Sequence, residues 1–186
     1  MPLPARRRRH TYAGQVFTQA VAHQLLRALP YSIEPGLTAA EIRGLGVSFN
    51  PDHRTLLTSG VPVGDGWPDW RHPSSIALSA PVDGVLFDVA ENAFWLPSWG
   101  IRPSSVDRAV AVAQRFLAAA PSLLPVFGHR YAPALNTRGL PVFSVMQTDV
   151  VVYGVDLADY LHAEFGVGAP SSRRAASVPF WSALAS

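Results

Sequence analysis

The residues best equipped for chemistry are His129, Arg130 and Tyr131, an imidazole, a guanidinium and a phenol standing side by side directly after Gly128. Such a trio can bind an anion or exchange protons. The plainer reading is that the three hydrogen-bond a loop and pair with a carboxylate. Asp149, in Gln147-Thr148-Asp149, could orient His129 if the fold brings them together, although a turn Asp more often caps its own backbone. A second group is aromatic: Trp67, Trp70, Phe94, Trp95 and Trp99. Trp carries much of the energy at protein interfaces because it buries a large area at small entropic cost. It is also a common core residue. Loops surround Trp67, Trp70 and Trp99, which makes these three the best surface candidates.

Other chemistries find little purchase. The chain has no Cys, which excludes disulfides, thiolate nucleophiles and Cys-based zinc sites. No G-x-S-x-G elbow, H-E-x-x-H or H-x-x-x-H spacing occurs, and the six His residues are scattered. Gly44-Leu45-Gly46 lacks the further glycine a dinucleotide loop needs. The expectation is therefore a non-catalytic protein with no cofactor and no metal.

Charge is informative once divided. All fifteen basic residues are Arg, and six of them lie in Arg6–Arg9 and at Arg173-Arg174. The remaining nine face all thirteen Asp and Glu, so residues 10–170 carry a formal −4. An acidic body suits a basic protein partner, whereas the Arg6–Arg9 leader offers nucleic acid only nonspecific phosphate contacts. The most apolar long stretch, 109–128, contains Gln114 and Arg115 and is broken by Pro121 and Pro125, so no membrane span is expected. Residues 15–24 are too polar for a secretory core, which agrees with a cytoplasmic setting.

The elements that must position these groups are punctuated by caps and breakers. Residues 1–14 read as a flexible leader, residues 15–168 as one domain, and residues 169–186 as a loosely ordered tail on which Phe180 and Trp181 could dock. A first helix spans Gln15 to Ala28, stopped by Pro30. Thr38 and Glu41 form a capping box, and Asn50-Pro51-Asp52 starts a helix that Gly60 ends. Residues 61–73 read as a loop. Asp83-Gly84 reads as a turn before a strand at Val85-Leu86-Phe87, and a short strand is expected at Phe94-Trp95-Leu96. Ser105 precedes the clearest long helix, with Val106, Val110, Ala113 and Leu117 recurring until Pro121. A strand near Val126, a loop from Tyr131 to Gly139, a strand pair at 141–145 and 150–153, and a helix capped by Asp156 complete the chain. The order predicts an α+β domain with a mainly antiparallel sheet flanked by helices. Its core should hold Phe143, Val145, Val151, Tyr153, Leu157, Leu161, Val106, Val110 and Leu117.

Several of these segments resemble the SUKH superfamily, which includes a yeast cell-wall-synthesis regulator and many bacterial toxin-immunity proteins. Residues 49–60, Phe49-Asn50-Pro51-Asp52 through Gly60, resemble its early L-P-x-x-[YL]-x-x-[FL]-L-x-x-x-N-G element. Leu124-Pro125-Val126-Phe127, Pro141-Val142-Phe143 and Asp156-Leu157-Ala158-Asp159-Tyr160-Leu161 resemble its later strands and last helix, in the same order. Asn50 stands where the family pattern has Leu, and Ser59 where it has Asn. The resemblance implies a protein-binding domain that blocks a toxin. The contact residues expected on chemical grounds are Trp67, Asp69, Trp70, Trp99, Arg102, His129, Arg130 and Tyr131. The competing expectation is an enzyme or small-ligand-binding protein working through His129, Arg130 and Tyr131.

Overall fold

Asn50 shows how closely local chemistry fixes the first half of the fold. Its side-chain oxygen accepts from the backbone N–H groups of Asp52 (3.1 Å) and His53 (2.9 Å), satisfying two orphan donors of a helix that opens on Pro51. Its amide nitrogen donates to the carbonyl of Pro133 at 3.0 Å, tying that helix to a strand 83 residues away. A computed structural model describes residues 16–185. The proposed leader lies outside these residues.

The described residues form seven α-helices and six strands. In chain order they are α1 (Gln19–Ala28), β1 (Ser32–Glu34), α2 (Ala39–Gly44), α3 (Pro51–Ser59), β2 (Val61–Val63), α4 (Ala80–Glu91) and α5 (Val106–Leu117). Then follow β3 (Leu123–Phe127), β4 (Arg130–Pro133), β5 (Val142–Met146), β6 (Asp149–Gly154), α6 (Leu157–Phe165) and α7 (Trp181–Leu184). Strands β3-β4-β5-β6 form an antiparallel meander, and β1 pairs antiparallel with β2. This is the expected α+β class. The expected caps at Thr38, Asn50 and Asp156 all accept backbone N–H bonds, and Thr38 with Glu41 closes the capping box.

Successive residues of a strand point to opposite faces. One face of the meander, through Val126, Ala132 and Val142, packs on α1 and α6 residues such as Leu25, Leu26, Leu157 and Leu161. The other, through Leu123, Phe143, Val145 and Val150, packs on Val85 and Val89 of α4, Ala109, Ala113 and Leu117 of α5, and Trp181. A third cluster joins Leu37, Ile42, Phe49, Leu57 and Trp70 beneath the small sheet.

Several expectations need correction. Asp83-Gly84 lies inside α4. Val85 and Val89, four apart, are both fully buried, so the apolar run follows the helical period. Gly84 is there because the β5–β6 turn approaches closely: a Cβ would lie 3.0 Å from the Gln147 Cα. Phe94-Trp95-Leu96 forms no strand, since Ala93 takes a positive φ (54°) and Pro97 opens a 3₁₀ turn (Pro97–Trp99). Conversely, Val61–Val63 and Arg130–Pro133 are strands where loops were expected.

The β6 face is shifted by one residue. Val145 pairs with Val150 and Phe143 with Val152 across the hairpin. Opposed residues share a face, so Val150 and Val152 point to the α4–α5 side while Val151 is 49% exposed. Val106, at the first position of α5, is likewise exposed, and Tyr153 is half-buried. The remaining expected core positions pack inside, Val110 only partly. Val178 and Trp181 are fully buried in the α4–α5 cluster, and the Trp181 indole donates to the Pro121 carbonyl at 2.7 Å.

Candidate functional site

The His129-Arg130-Tyr131 trio is divided by the sheet that carries it. Gly128, at φ 50°, turns the chain from β3 into β4. Arg130 then points to the α6 side and Tyr131 to the α4–α5 side. Arg130 is tied into the fold through Nε and Nη1. Its Nε donates to Glu164 on α6 (3.1 Å) and its Nη1 to the Ser144 hydroxyl (2.9 Å). Nη1 also meets His129 Nε2 in close contact, and the guanidinium carbon lies 3.9 Å above the Tyr153 ring. The Arg130–Glu164 pair is largely shielded from water and clamps α6 onto the sheet. Tyr131 packs into the second cluster, where burial raises its phenol pKa. Asp149 pairs with Met146 at the far end of the hairpin, so the close partner of His129 is Arg130.

The tryptophans are inside as well. Trp70 is buried against the edges of Phe49 (4.9 Å) and His53 (6.0 Å). Trp67 is half-buried, stacked on Phe165 at 5.6 Å and edge-on to Phe127 and Tyr31. Asp69 caps its own turn, accepting from the backbone of Arg71 and His72 and contacting the His72 ring at 2.8 Å. The His72 contact is the main reason its carboxyl titrates below the ordinary range, despite exposure. Trp99 is buried too, stacked on both Phe116 (5.8 Å) and Phe180 (6.2 Å). Loop placement did not expose Trp70 or Trp99, because short loops fold back and use large rings to fill the gaps beneath them.

What Trp99 does instead is hold a surface loop rigid. Trp95 packs edge-on against it at 5.2 Å and donates its indole N–H to the Gly100 carbonyl at 2.7 Å. Gly100 takes a φ of 83°, a conformation most side chains resist. Arg102 donates through Nη2 to the Val89 carbonyl at 2.9 Å, fixing the far end of the loop to α4. Ile101, held between these two anchors, is 97% exposed. Phe116, on the outer surface of α5 and stacked on Trp99, is 43% exposed. The loop thus presents an isoleucine at a fixed position beside an exposed ring. Sequence reasoning named Trp99 and Arg102 and passed over Ile101; an isoleucine between Gly and Arg-Pro, in a segment without strand or helix periodicity, was the available signal.

The hairpin turn is braced in a similar way. Asp88 of α4, buried, accepts from the Thr148 backbone (3.0 Å), the Thr148 hydroxyl (2.6 Å) and Asn92 (2.6 Å). Burial raises its pKa, but the bonds from Thr148 and Asn92 outweigh that and hold it below the ordinary value. No group of three or more His, Cys, Asp and Glu among the described residues is arranged to hold a metal ion. No helix among them is long and apolar enough to cross a membrane.

Comparison with protein-family models, with curated proteins and with solved structures finds no match to this chain.

Proposed function

We propose that this chain is a non-catalytic protein-binding domain of the toxin-immunity type, docking through the Ile101 loop. The observation that carries the reading is the rigid presentation of Ile101. A fully exposed apolar side chain held by an indole hydrogen bond on one flank and a guanidinium on the other loses little freedom on entering a partner's pocket. That is the arrangement of an interface anchor, and Phe116 supplies a neighbouring contact. The acidic body between the Arg clusters supports a basic partner, since complementary charge speeds encounter. The motif resemblance to SUKH proteins supports the immunity role. The arrangement of His129, Arg130 and Tyr131 weighs against the enzyme alternative, because Arg130 is held by Glu164 and Ser144 while Tyr131 points to the other face of the sheet.

Co-expression with a toxin encoded beside the gene tests this. The wild-type chain and a His129→Ala variant should both protect growth and copurify with the toxin. An Ile101→Asp variant should do neither while melting within a degree or two of wild type, since surface substitutions rarely shift stability by more than about 0.5 kcal/mol. Full protection by Ile101→Asp would overturn the docking assignment. Turnover of a small substrate lost on His129→Ala would overturn the whole reading.

A further inference from the structure

On the α1–α6 side of the molecule, sharing no residue with the Ile101 loop, lies a cleft of about 350 Å³. Its apolar lining includes Phe17 and Val21, from α1 and the turn before it, and Leu157 and Ala158 from the first turn of α6. Two guanidiniums stand at its rim. Arg138 uses Nη1 for the Phe17 carbonyl (3.1 Å) and for Asp52 (2.7 Å), which leaves Nε and Nη2 to donate elsewhere. Arg173 lies 3.7 Å from Asp156, beyond hydrogen-bond range, and about half of its side chain is exposed. Gly139, at φ 65°, lets the two approach: the Arg173 nitrogens sit 3.1 Å from where a Cβ at that position would be.

Each acidic group at the cleft accepts at least one hydrogen bond, and the remaining Asp156 oxygen, Oδ2, faces Arg173. Asp52 accepts from Arg138 and from the Gly139 N–H (2.6 Å). Asp159 accepts from the Val155 and Ser171 N–H groups, and Asp156 from the Asp159 N–H. Arg138 Nε and Nη2 and the Arg173 guanidinium keep donor capacity at the rim, on two planar cations whose geometry suits a carboxylate. We propose that this cleft binds an amphipathic carboxylate, its head on Arg138 and Arg173 and a short apolar chain along Phe17, Val21, Leu157 and Ala158. A volume of this size falls within the range of small-molecule sites and accepts a chain of about eight carbons.

Calorimetric titration of the full chain with octanoate tests the assignment, with acetate and octylamine as comparators. Octanoate should bind saturably, while acetate, lacking the chain, and octylamine, carrying the opposite charge, should not. Arg173→Gln, which leaves the Asp52–Arg138 pair intact, should weaken octanoate binding about tenfold or more, equivalent to about 1.4 kcal/mol. Ala158→Phe, which fills the apolar side, should abolish it, with melting temperatures confirming that both variants fold. Equal binding of octylamine would show that the head-group charge is not recognised, and tighter binding of octylamine that Asp52, Asp156 and Asp159 select a cation; either would overturn the proposal. So would equal binding of acetate, an undiminished affinity in folded Arg173→Gln, or no saturable binding of octanoate. Protection by the Ile101 loop is read separately, so either inference can fail without the other.

Discussion

His53 is fully buried between Phe49 and Trp70, and burial lowers its pKa from 6.5 to about 3. Its Nδ1 and the indole nitrogens of Trp67 and Trp70 have no hydrogen-bond partner, and all three residues line one small cavity of about 10 Å³. A neutral imidazole can offer Nδ1 as an acceptor toward the two indole donors; protonation turns it into a third donor. The unfolded chain takes up this proton near pH 6.5, whereas the folded chain resists until about pH 3. Stability therefore falls as the pH drops below 6.5, by up to about 1.4 kcal/mol per unit, and the loss levels off near pH 3. Chemical denaturation at pH 7 and pH 5.5 should show the wild type losing roughly 1 kcal/mol that a His53→Leu variant keeps. Equal losses in both would mean that water reaches the ring.

At the level of elements, α6 meets β6 so closely at Gly154 that an added Cβ would lie 2.5 Å from the Tyr160 backbone nitrogen and Cα. Backbone cannot step aside as a flexible side chain can. Gly154→Ala should therefore cost about 1–3 kcal/mol in urea denaturation, or more if α6 is displaced. A cost near zero would show that α6 slides freely along the sheet. The same hairpin shows what was legible in the sequence. Runs of β-branched and aromatic residues identified β5 and β6 as strands, and Asp156 marked the start of α6, because those signals are local. The phase of β6 was not legible, because every residue from Val150 to Tyr153 is apolar or aromatic and any phase satisfies the alternation. The two-residue turn at Gln147-Thr148 decides it, with Gln147 at φ 58°. Val150→Asp should unfold the domain while Val151→Asp should be tolerated, and the reverse result in thermal melts would overturn the register. The α4 helix was missed because Asp83-Gly84 carries a strong turn signal, and the reason for Gly84, the approach of Gln147, is a tertiary contact invisible in one dimension. The candidate site was legible only as anchors: Trp99 and Arg102 stood out by type, but their role in fixing Ile101 depends on the Val89 carbonyl that Arg102 reaches and on the Phe116 and Phe180 rings stacked on Trp99, which only folding brings near.

For the molecule as a whole, the C-terminal segment joins the sheet, the helices and the Ile101 loop into one packed unit. Trp181 is fully buried against the α4–α5 side and bonded to Pro121 just after α5, and its neighbour Phe180 stacks almost parallel on Trp99 with an interplanar angle of 2°. These adjacent side chains therefore have separable effects. Trp181 fills the core, so Trp181→Ala should destabilise the protein by roughly 3–5 kcal/mol in denaturant. Phe180 backs the ring that backs the Ile101 loop, with part of its own surface still open. Phe180→Ala should cost less stability than Trp181→Ala but loosen the loop, because Trp99 loses one of its two stacking partners. Amide exchange should then quicken at Gly100 and Ile101 while the β5 and β6 amides stay protected. Under the proposed docking, partner affinity should fall by more than the melting temperature would suggest, since a mobile anchor must be ordered on binding. Unchanged exchange at Ile101 in Phe180→Ala would mean that the Trp95–Gly100 and Arg102–Val89 bonds hold the loop without help from the C-terminal segment.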